Sequence, residues 1–441
     1  EYLKAAEWSL EFLDDWPTNP SYELQLPYGT YTAARMNAEL GTNYDVEKMM
    51  NWSFDRGPLR GWGTIVGRWN GFDVSGLVGE ANDNGNDYAF QLNGVQQAAA
   101  LVPAVRYDKR FAHAIGKWVL NLANATRLFF PDYLPGFLQD SDDWSEQYDS
   151  DRVVGYEALR EVWEGNSPFS TGDAIRGGWA ETNLSLYSTG SIGYMGTLIE
   201  PTGVDQILQI DLLATDFFRD EAYPTYLYVN PYDLPQSVTL DVGTGSVDIY
   251  ETLTETFPQQ GVSGEVSLTI PAGEAIMVVL APAGGTITYD LNRMRINGVV
   301  VDYQQSAQAI NYPPRIQSLA AGQPEIEEGD ILAIFAKAQH PQNEPLTYQW
   351  SVTGGTLSGD GDQASYVADT IPGDYEVQVV VEDPDGQTDT ATLLLSIVAE
   401  INQAPDILEL VATPGYGDPG DILPVSVVAA DANGDSLSYT W

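Results

Sequence analysis

The spacing of apolar positions changes character once along the chain. From Glu1 to about Ala222 it is helical, and from Tyr226 onward it alternates with period two, which sets the main boundary near Tyr223-Pro224. In the first part, Leu92, Val95, Ala99, Val102 and Val105 share one stripe and predict a helix over Tyr88 to Arg106, kinked at Pro103. Asp108 is placed to cap the next helix, through Phe111, Ile115, Trp118 and Leu122, so the two form an antiparallel hairpin. Further helices are expected over Tyr2 to Asp15, over Ser21 to Leu40 with Gly41 closing it, and over Val46 to Phe54 behind Asp45. A late pair runs from Ile192 to Ile199 and, after a break at Pro201-Thr202-Gly203, from Val204 to Phe218. Between these lie long loops rich in Gly, Asn, Asp and Trp, chiefly Arg56 to Gly85 and Pro131 to Asp151. Loops of that length are functional or disordered, and their aromatic content argues against disorder.

From Tyr226 to Tyr303, runs such as SVTLDVG, EVSLTIPAGEAIMVVLAP and TITYDLNRMRINGVVVDY read as strands separated by Gly, Pro and Asn-Gly turns, the pattern of a small β-sandwich. A polar linker follows. Then the chain repeats itself at a constant offset of 91: NYPPRIQSLAAG at 311 matches NQAPDILELVAT at 402, GDIL at 329 matches GDIL at 420, and LTYQW at 346 matches LSYTW at 437. Thirteen of forty aligned positions are identical, enough to read two copies of one domain. The first continues through the strands YEVQVVVED and DTATLLLSI; the second stops at Trp441, and the chain is expected to continue beyond it because half a sandwich leaves apolar edges bare. The expected organisation is therefore a helical domain over 1–222, a β-sandwich over 223–303, a linker over 304–310, one repeat over 311–399 and a second, partial repeat over 400–441.

Composition narrows the partners. With 63 acidic against 19 basic residues the formal charge is −44, which disfavours nucleic acid and anionic membrane. Such acidity fits a protein of saline surroundings, and equally ordinary solubility. There is no cysteine, hence no disulfide framework, thiolate metal site or cysteine nucleophile. No apolar run reaches the roughly 18 residues of a membrane span, and residue 1 is Glu inside a helical pattern, so any signal peptide is expected upstream.

The repeats, through N-x-x-P, the Gly-Asp-Ile turn, Tyr-x-Trp and the Gly-Asp-Tyr at Gly373, resemble PKD-like and related immunoglobulin-like modules of bacterial surface and secreted proteins. After Trp350 the run SVTGGTLSGDGD departs from the commonest PKD pattern. The first 303 residues, with their helix pairs, Trp-rich and Gly-rich loops and the closing strands IPAGEAIMVVLAP, are similar to the C-terminal part of an α/α-toroid followed by a β-sandwich, an arrangement of polysaccharide-processing hydrolases and lyases. The resemblance implies a multidomain fold: an all-α helical-hairpin, toroid-like domain, then an all-β sandwich, then tandem immunoglobulin-like repeats. It also implies a secreted or cell-surface bacterial enzyme acting on an extracellular polysaccharide, a glycoside hydrolase first and a lyase second. The competing reading is a non-catalytic glycan-binding or adhesion protein with spacer repeats.

Candidate chemistry falls in four loops. GLVGEANDNGNDYAF puts Glu80, Asp83 and Asp87 before a helix, at a spacing that permits the two carboxylates about 5–10 Å apart used in glycosidic cleavage; alternatively one aspartate caps the helix and Glu80 is solvated. TGDAIRGGWAETNLSLYSTG carries Asp173, Arg176, Trp179, Glu181 and Tyr187: Arg176 to bind a uronic carboxylate, Trp179 to stack on a sugar, Glu181 or Tyr187 to move a proton, or all as core and surface groups. RGPLRGWGTIVGRWNG brings Arg60, Trp62, Arg68 and Trp69 together with Arg56, either an acidic-sugar subsite or arginines pairing with nearby carboxylates. Asp140, Asp142 and Asp143 supply oxygen ligands for Ca²⁺, or form a solvated loop.

Overall fold

The computed structural model describes residues 2–59, 61–81, 86–172, 189–306, 313–323, 325–340, 344–399 and 403–440. The chain parts into two compact units, Glu1–Tyr312 and Pro313–Trp441.

In the first unit the described helices are α1 (Tyr2–Asp15), α2 (Gln25–Leu40), α3 (Val46–Phe54), α4 (Gln91–Tyr107), α5 (Ala112–Thr126), α6 (Asp142–Tyr148) and α7 (Ile192–Leu198). Their ends follow local chemistry. Gly41 closes α2 at φ 69°, a left-handed conformation glycine adopts without penalty, and the Asp45 side chain accepts from the Lys48 amide at 2.8 Å to cap α3. Helix α4 is central: Ala, Val and Leu surround it, and every residue but Leu92 and Gln96 is buried. Pro103 lies inside it without ending it. Close approach of α5 to α4 needs Gly94, where a Cβ would stand 2.9 Å from Leu122 Cδ1.

Three expectations need correction. The region 1–222 is not all-α, because five short strands inside the long loops and around α4 form an antiparallel sheet in the order Trp62–Thr64, Val78–Glu80, Tyr88–Phe90, Ala158–Arg160, Phe169–Thr171. Tyr88 to Phe90 is one of these strands rather than the first turn of α4. The stretch Val204 to Phe218 is not a helix: Leu208–Asp211 pairs with Ile199–Pro201 and with Thr225–Val229, so its buried Ile210 faces a sheet interior.

The two halves of this unit share one apolar core, which runs from Leu10 through Val95, Leu101, Ile115 and Leu122 to Leu227, Met277 and Tyr303. The sandwich sheet has the order Thr256–Val262, Val247–Glu251, Ala275–Pro282, Thr225–Val229, Leu208–Asp211, Ile199–Pro201. The pair Gln236–Asp241 and Glu265–Ile270 contributes the alternating Val238, Leu240, Val266, Leu268 and Ile270 to a second core. A buried polar cluster crosses between the halves: Arg106 of α4 pairs with Asp216 at 2.5 Å, and the hydroxyls of Tyr107 and Tyr31 donate to the same carboxylate at 2.9 and 2.6 Å. Burial, then the neighbouring Asp216, pushes the Tyr31 hydroxyl up to about 12, so it stays a donor at any ordinary pH. Lys109 adds a second tie, to the Thr252 carbonyl, Glu255 and Asp302.

The first repeat is a sandwich of two four-stranded sheets. One has the order Arg315–Ala321, Ile331–Gln339, Gln363–Val367, Thr356–Ser358; the other Glu325–Glu327, Thr388–Val398, Gly373–Glu382, Thr347–Val352. Ile326, Leu332, Ile334, Tyr366, Val377, Leu395 and Ile397 fill it. The described part of the second repeat forms the hairpin Asp406–Ala412 with Val425–Ala430. At the 91-residue offset, Ile334 is fully buried whereas its counterpart Val425 is 48% exposed.

Two predictions follow from packing. Replacing Asp216 by Ala strands the buried Arg106 guanidinium and is expected to cost about 3–5 kcal/mol, read as a lower denaturant midpoint for unfolding of the Glu1–Tyr312 unit. Ile334→Ala is expected to lower the stability of the first repeat by about 2–5 kcal/mol, while Val425→Ala shifts unfolding by less than about 0.5 kcal/mol; equal effects would contradict the burial difference.

Candidate functional site

The five-stranded sheet sets the geometry of the site. Its register pairs Trp62 with Glu80, Glu80 with Tyr88, Tyr88 with Arg160 and Arg160 with Phe169. Residues directly opposite one another on antiparallel strands project to the same face, so Trp62, Glu80, Tyr88 and Arg160 form one row. The alternate row, Gly63, Gly79, Ala89, Leu159 and Ser170, turns the other way and is buried. Gly79 admits no side chain, since a Cβ there would lie 2.0 Å from the Tyr88 carbonyl oxygen and 2.8 Å from the Ala89 Cα. The loop behind the sheet is pinned at Gly76, at φ +95°, where a Cβ would meet the Leu122 amide at 2.8 Å and whose carbonyl accepts from Trp118 Nε1 at 2.9 Å.

The outward row borders a cavity of about 520 Å³, completed by Tyr22, Glu23, Phe90, Leu92, Asn93 and Glu157. Its wall is aromatic. Trp62 and Phe90 stack with centroids 5.6 Å apart, Tyr22 meets Trp62 edge-on at 5.4 Å, and Tyr88 lies 4.2 Å from Phe90. Arg160 places its guanidinium over the Tyr88 ring at 4.0 Å and over the Trp163 ring at 4.4 Å. Glu157 is 5% exposed, and its carbonyl accepts from the Gln91 amide at 2.9 Å, which joins the strand to the start of α4. Glu80 and Glu157 are separated by two strand spacings across and three residues along, about 14 Å between Cα atoms. Glycosidic cleavage uses two carboxylates about 5–10 Å apart; Glu80 stands in the outward row, whereas Glu157 has the opposite parity in this pairing and borders the cavity where its strand meets the start of α4.

Of the residues singled out in the sequence, Trp62 and Glu80 border this cavity. Asp87 does not: its amide donates to Glu161 Oε2 at 3.1 Å and its carbonyl accepts the Glu161 amide at 2.8 Å, so it continues the strand pairing. Arg68 is exposed, 3.9 Å from Asp73, and Trp69 is buried in the apolar core. Asp142 and Asp143 lie in the first turn of α6 behind the N-cap Ser141, and Asp140 precedes the helix. Asp142 pairs with Arg152, and Asp140 accepts from Ser141 Oγ and the Gly172 amide at 2.7 and 2.9 Å. Among the described residues no group of three or more His, Asp and Glu side chains is arranged to hold a metal. Arg60, Asp83, Asp173, Arg176, Trp179, Glu181 and Tyr187 lie outside the described residues. Sequence reasoning passed over Glu157, Arg160, Tyr88 and Phe90, which sit on or beside strands of three residues, too short for alternation to stand out.

No protein-family profile matches the chain. Over 135 residues, 29% of its length, it is 28% identical to chitinase A of Pseudoalteromonas piscicida, and that match covers 16% of the chitinase. The chain thus spans a small part of this curated relative. Among solved structures, it is similar to a nucleoside hydrolase-related hypothetical protein from Saccharophagus degradans that is associated with carbohydrate metabolism, with a TM-score of 0.19, 14% identity, and coverage of 22% of this chain and 28% of that one. It is also similar to the fibronectin(III)-like modules of Clostridium thermocellum CbhA, with a TM-score of 0.17, 13% identity, and coverage of 39% and 88%. TM-scores this low do not bear on the fold, which rests on the strand pairing described above.

The close approach at Gly79 makes a sharp expectation. Gly79→Ala should destabilise the Glu1–Tyr312 unit by about 2 kcal/mol or more through forced displacement of the neighbouring strand, seen as a lowered denaturant midpoint. Gly193→Ala, on α7 with open space around its Cβ position, should leave the midpoint unchanged or slightly raised.

Proposed function

We propose that the Glu1–Tyr312 unit is the carbohydrate-active part of a secreted or cell-surface protein and cleaves a polysaccharide in the cavity beside the five-stranded sheet. The observation that carries this reading is the pairing of an aromatic wall, Trp62, Tyr88 and Phe90, with two carboxylates, Glu80 and Glu157, on one cavity. Sugar rings stack their apolar faces on aromatic side chains, and hydrolysis needs one carboxyl to protonate the leaving oxygen and another to activate water or attack the anomeric carbon. The similarity to a chitinase over part of the chain supports a glycan as the substrate class. In this reading α2 to α5 belong to a toroid-like helical array whose loops line the cleft, and the repeats after residue 312 act as spacers. Among the described residues no helix is long and apolar enough to cross a membrane.

A glycan-binding protein without turnover is the second reading, favoured by the same aromatic wall, which suffices for binding by itself. The two separate experimentally. Glu157→Gln and Glu80→Gln are each expected to reduce polysaccharide turnover by about a thousandfold, roughly 4 kcal/mol of barrier, with binding and the unfolding midpoint retained. Binding without product release by the unaltered chain would establish the second reading instead.

A further inference from the structure

The cavity also holds a cation whose chemistry the cleavage reading does not use. The chain carries 63 acidic and 19 basic residues, and several of its arginines sit on a carboxylate: Arg35 on Glu39, Arg106 on Asp216, Arg152 on Asp142. Arg160 shows no such partner among the described residues. Instead, its guanidinium lies over two rings, 4.0 Å from the Tyr88 centroid and 4.4 Å from that of Trp163. Its Nε is buried and has no hydrogen-bond partner among the described residues.

A guanidinium carries its donors in its own plane, so ring contacts over it leave the edge as the direction in which it can bind. That edge belongs to a residue lining the cavity. Leaving a buried N–H unsatisfied costs about 1–3 kcal/mol, and two ring contacts fix the rotamer before any ligand arrives, which lowers the entropy lost on binding. A planar fork held in this way matches a carboxylate or a sulfate through two parallel hydrogen bonds. Trp62 Nε1, on a side chain 3% exposed, is a second donor without a partner among the described residues. It lies three strand spacings from Arg160, about 14 Å between Cα atoms, too far to share one anionic group.

Resting on the glycan reading above, we infer that Arg160, held against Tyr88 and Trp163, is the specificity determinant for a glycan bearing anionic groups, so that the preferred ligand is an acidic oligosaccharide rather than a neutral one. The test is calorimetric titration of the full chain with a polyuronate oligomer, a sulfated oligosaccharide and a neutral chito-oligosaccharide of matched length. At least one acidic ligand is expected to bind tenfold or more tightly than the neutral one, with a preference that falls as salt is added. The polyuronate and sulfated arms report which anion is read. Arg160→Met should abolish the preference by weakening the acidic ligand far more than the neutral one; Arg160→Lys, which keeps the charge without the fork, should reduce the preference severalfold. Equal or tighter binding of the neutral oligomer, or an unchanged preference in both variants, would overturn the inference and leave the glycan reading standing. Binding of none of the three would remove both.

Discussion

The register of five short strands is the constraint on which the cavity depends. Side chains on a strand alternate with period two, so a slip of one residue would send every member of the row to the other face. Trp62, Glu80, Tyr88 and Arg160 would then point into the core, and Gly63, Gly79, Ala89 and Leu159 would face the cavity. The small residues of the inward row hold the register: at Gly79 the neighbouring strand comes so close that only a hydrogen fits. Glu157 and Arg160 are brought in from about seventy residues further along because their strand pairs with Tyr88–Phe90 and with nothing nearer in sequence.

That sheet is held in turn by the helices behind it and, through them, by the sandwich. Trp118 of α5 bonds to the Gly76 carbonyl, α4 begins immediately after the Tyr88–Phe90 strand, and α5 carries Gly116, where a Cβ would stand 2.3 Å from Val229 of the sandwich. Arg106 and Asp216 close the connection with a buried ion pair. One core spanning Leu10 to Tyr303 makes the helices and the sandwich a single mechanical body, and a catalytic geometry needs such support, since small displacements of the reacting groups cost large factors in rate.

What could be read from the sequence divides along the length of each signal. Helices α2, α3 and α5 were legible because of several turns of apolar spacing, with explicit ends at Gly41 for α2 and Asp45 for α3; Asp108 caps the short 3-10 turn Lys109–Phe111 ahead of α5, not α5 itself. The sandwich strands Gln236–Asp241 and Glu265–Ile270 alternate over six residues and Ala275–Pro282 is a continuous apolar run, and the repeats announce themselves by identity at a fixed offset. The five-stranded sheet was not legible because each strand has only three residues, fewer than a period-two pattern needs to stand out. For the same reason Trp62 and Trp69, equivalent in a Gly-rich loop, could not be told apart: both are buried in the apolar core, and Trp62 also borders the cavity. Asp87, attractive as one of many carboxylates, proved to sit where its backbone completes a strand pair with Glu161. Val204 to Phe218 misled because Ile207, Ile210 and Leu212 are apolar at spacings that a short helix and a short strand with its flanks share.

The central claim is that the outward row of this sheet is a sugar-binding surface with its carboxylates and its clamped arginine around one ligand. The most direct measurement is a crystal structure of the chain with the Glu157→Gln substitution soaked in an acidic oligosaccharide. The account predicts sugar rings lying against Trp62 and Tyr88, a glycosidic oxygen between residues 80 and 157, and an anionic group on the edge of the Arg160 guanidinium. An oligosaccharide bound on another surface, with this cavity holding only water, would contradict it.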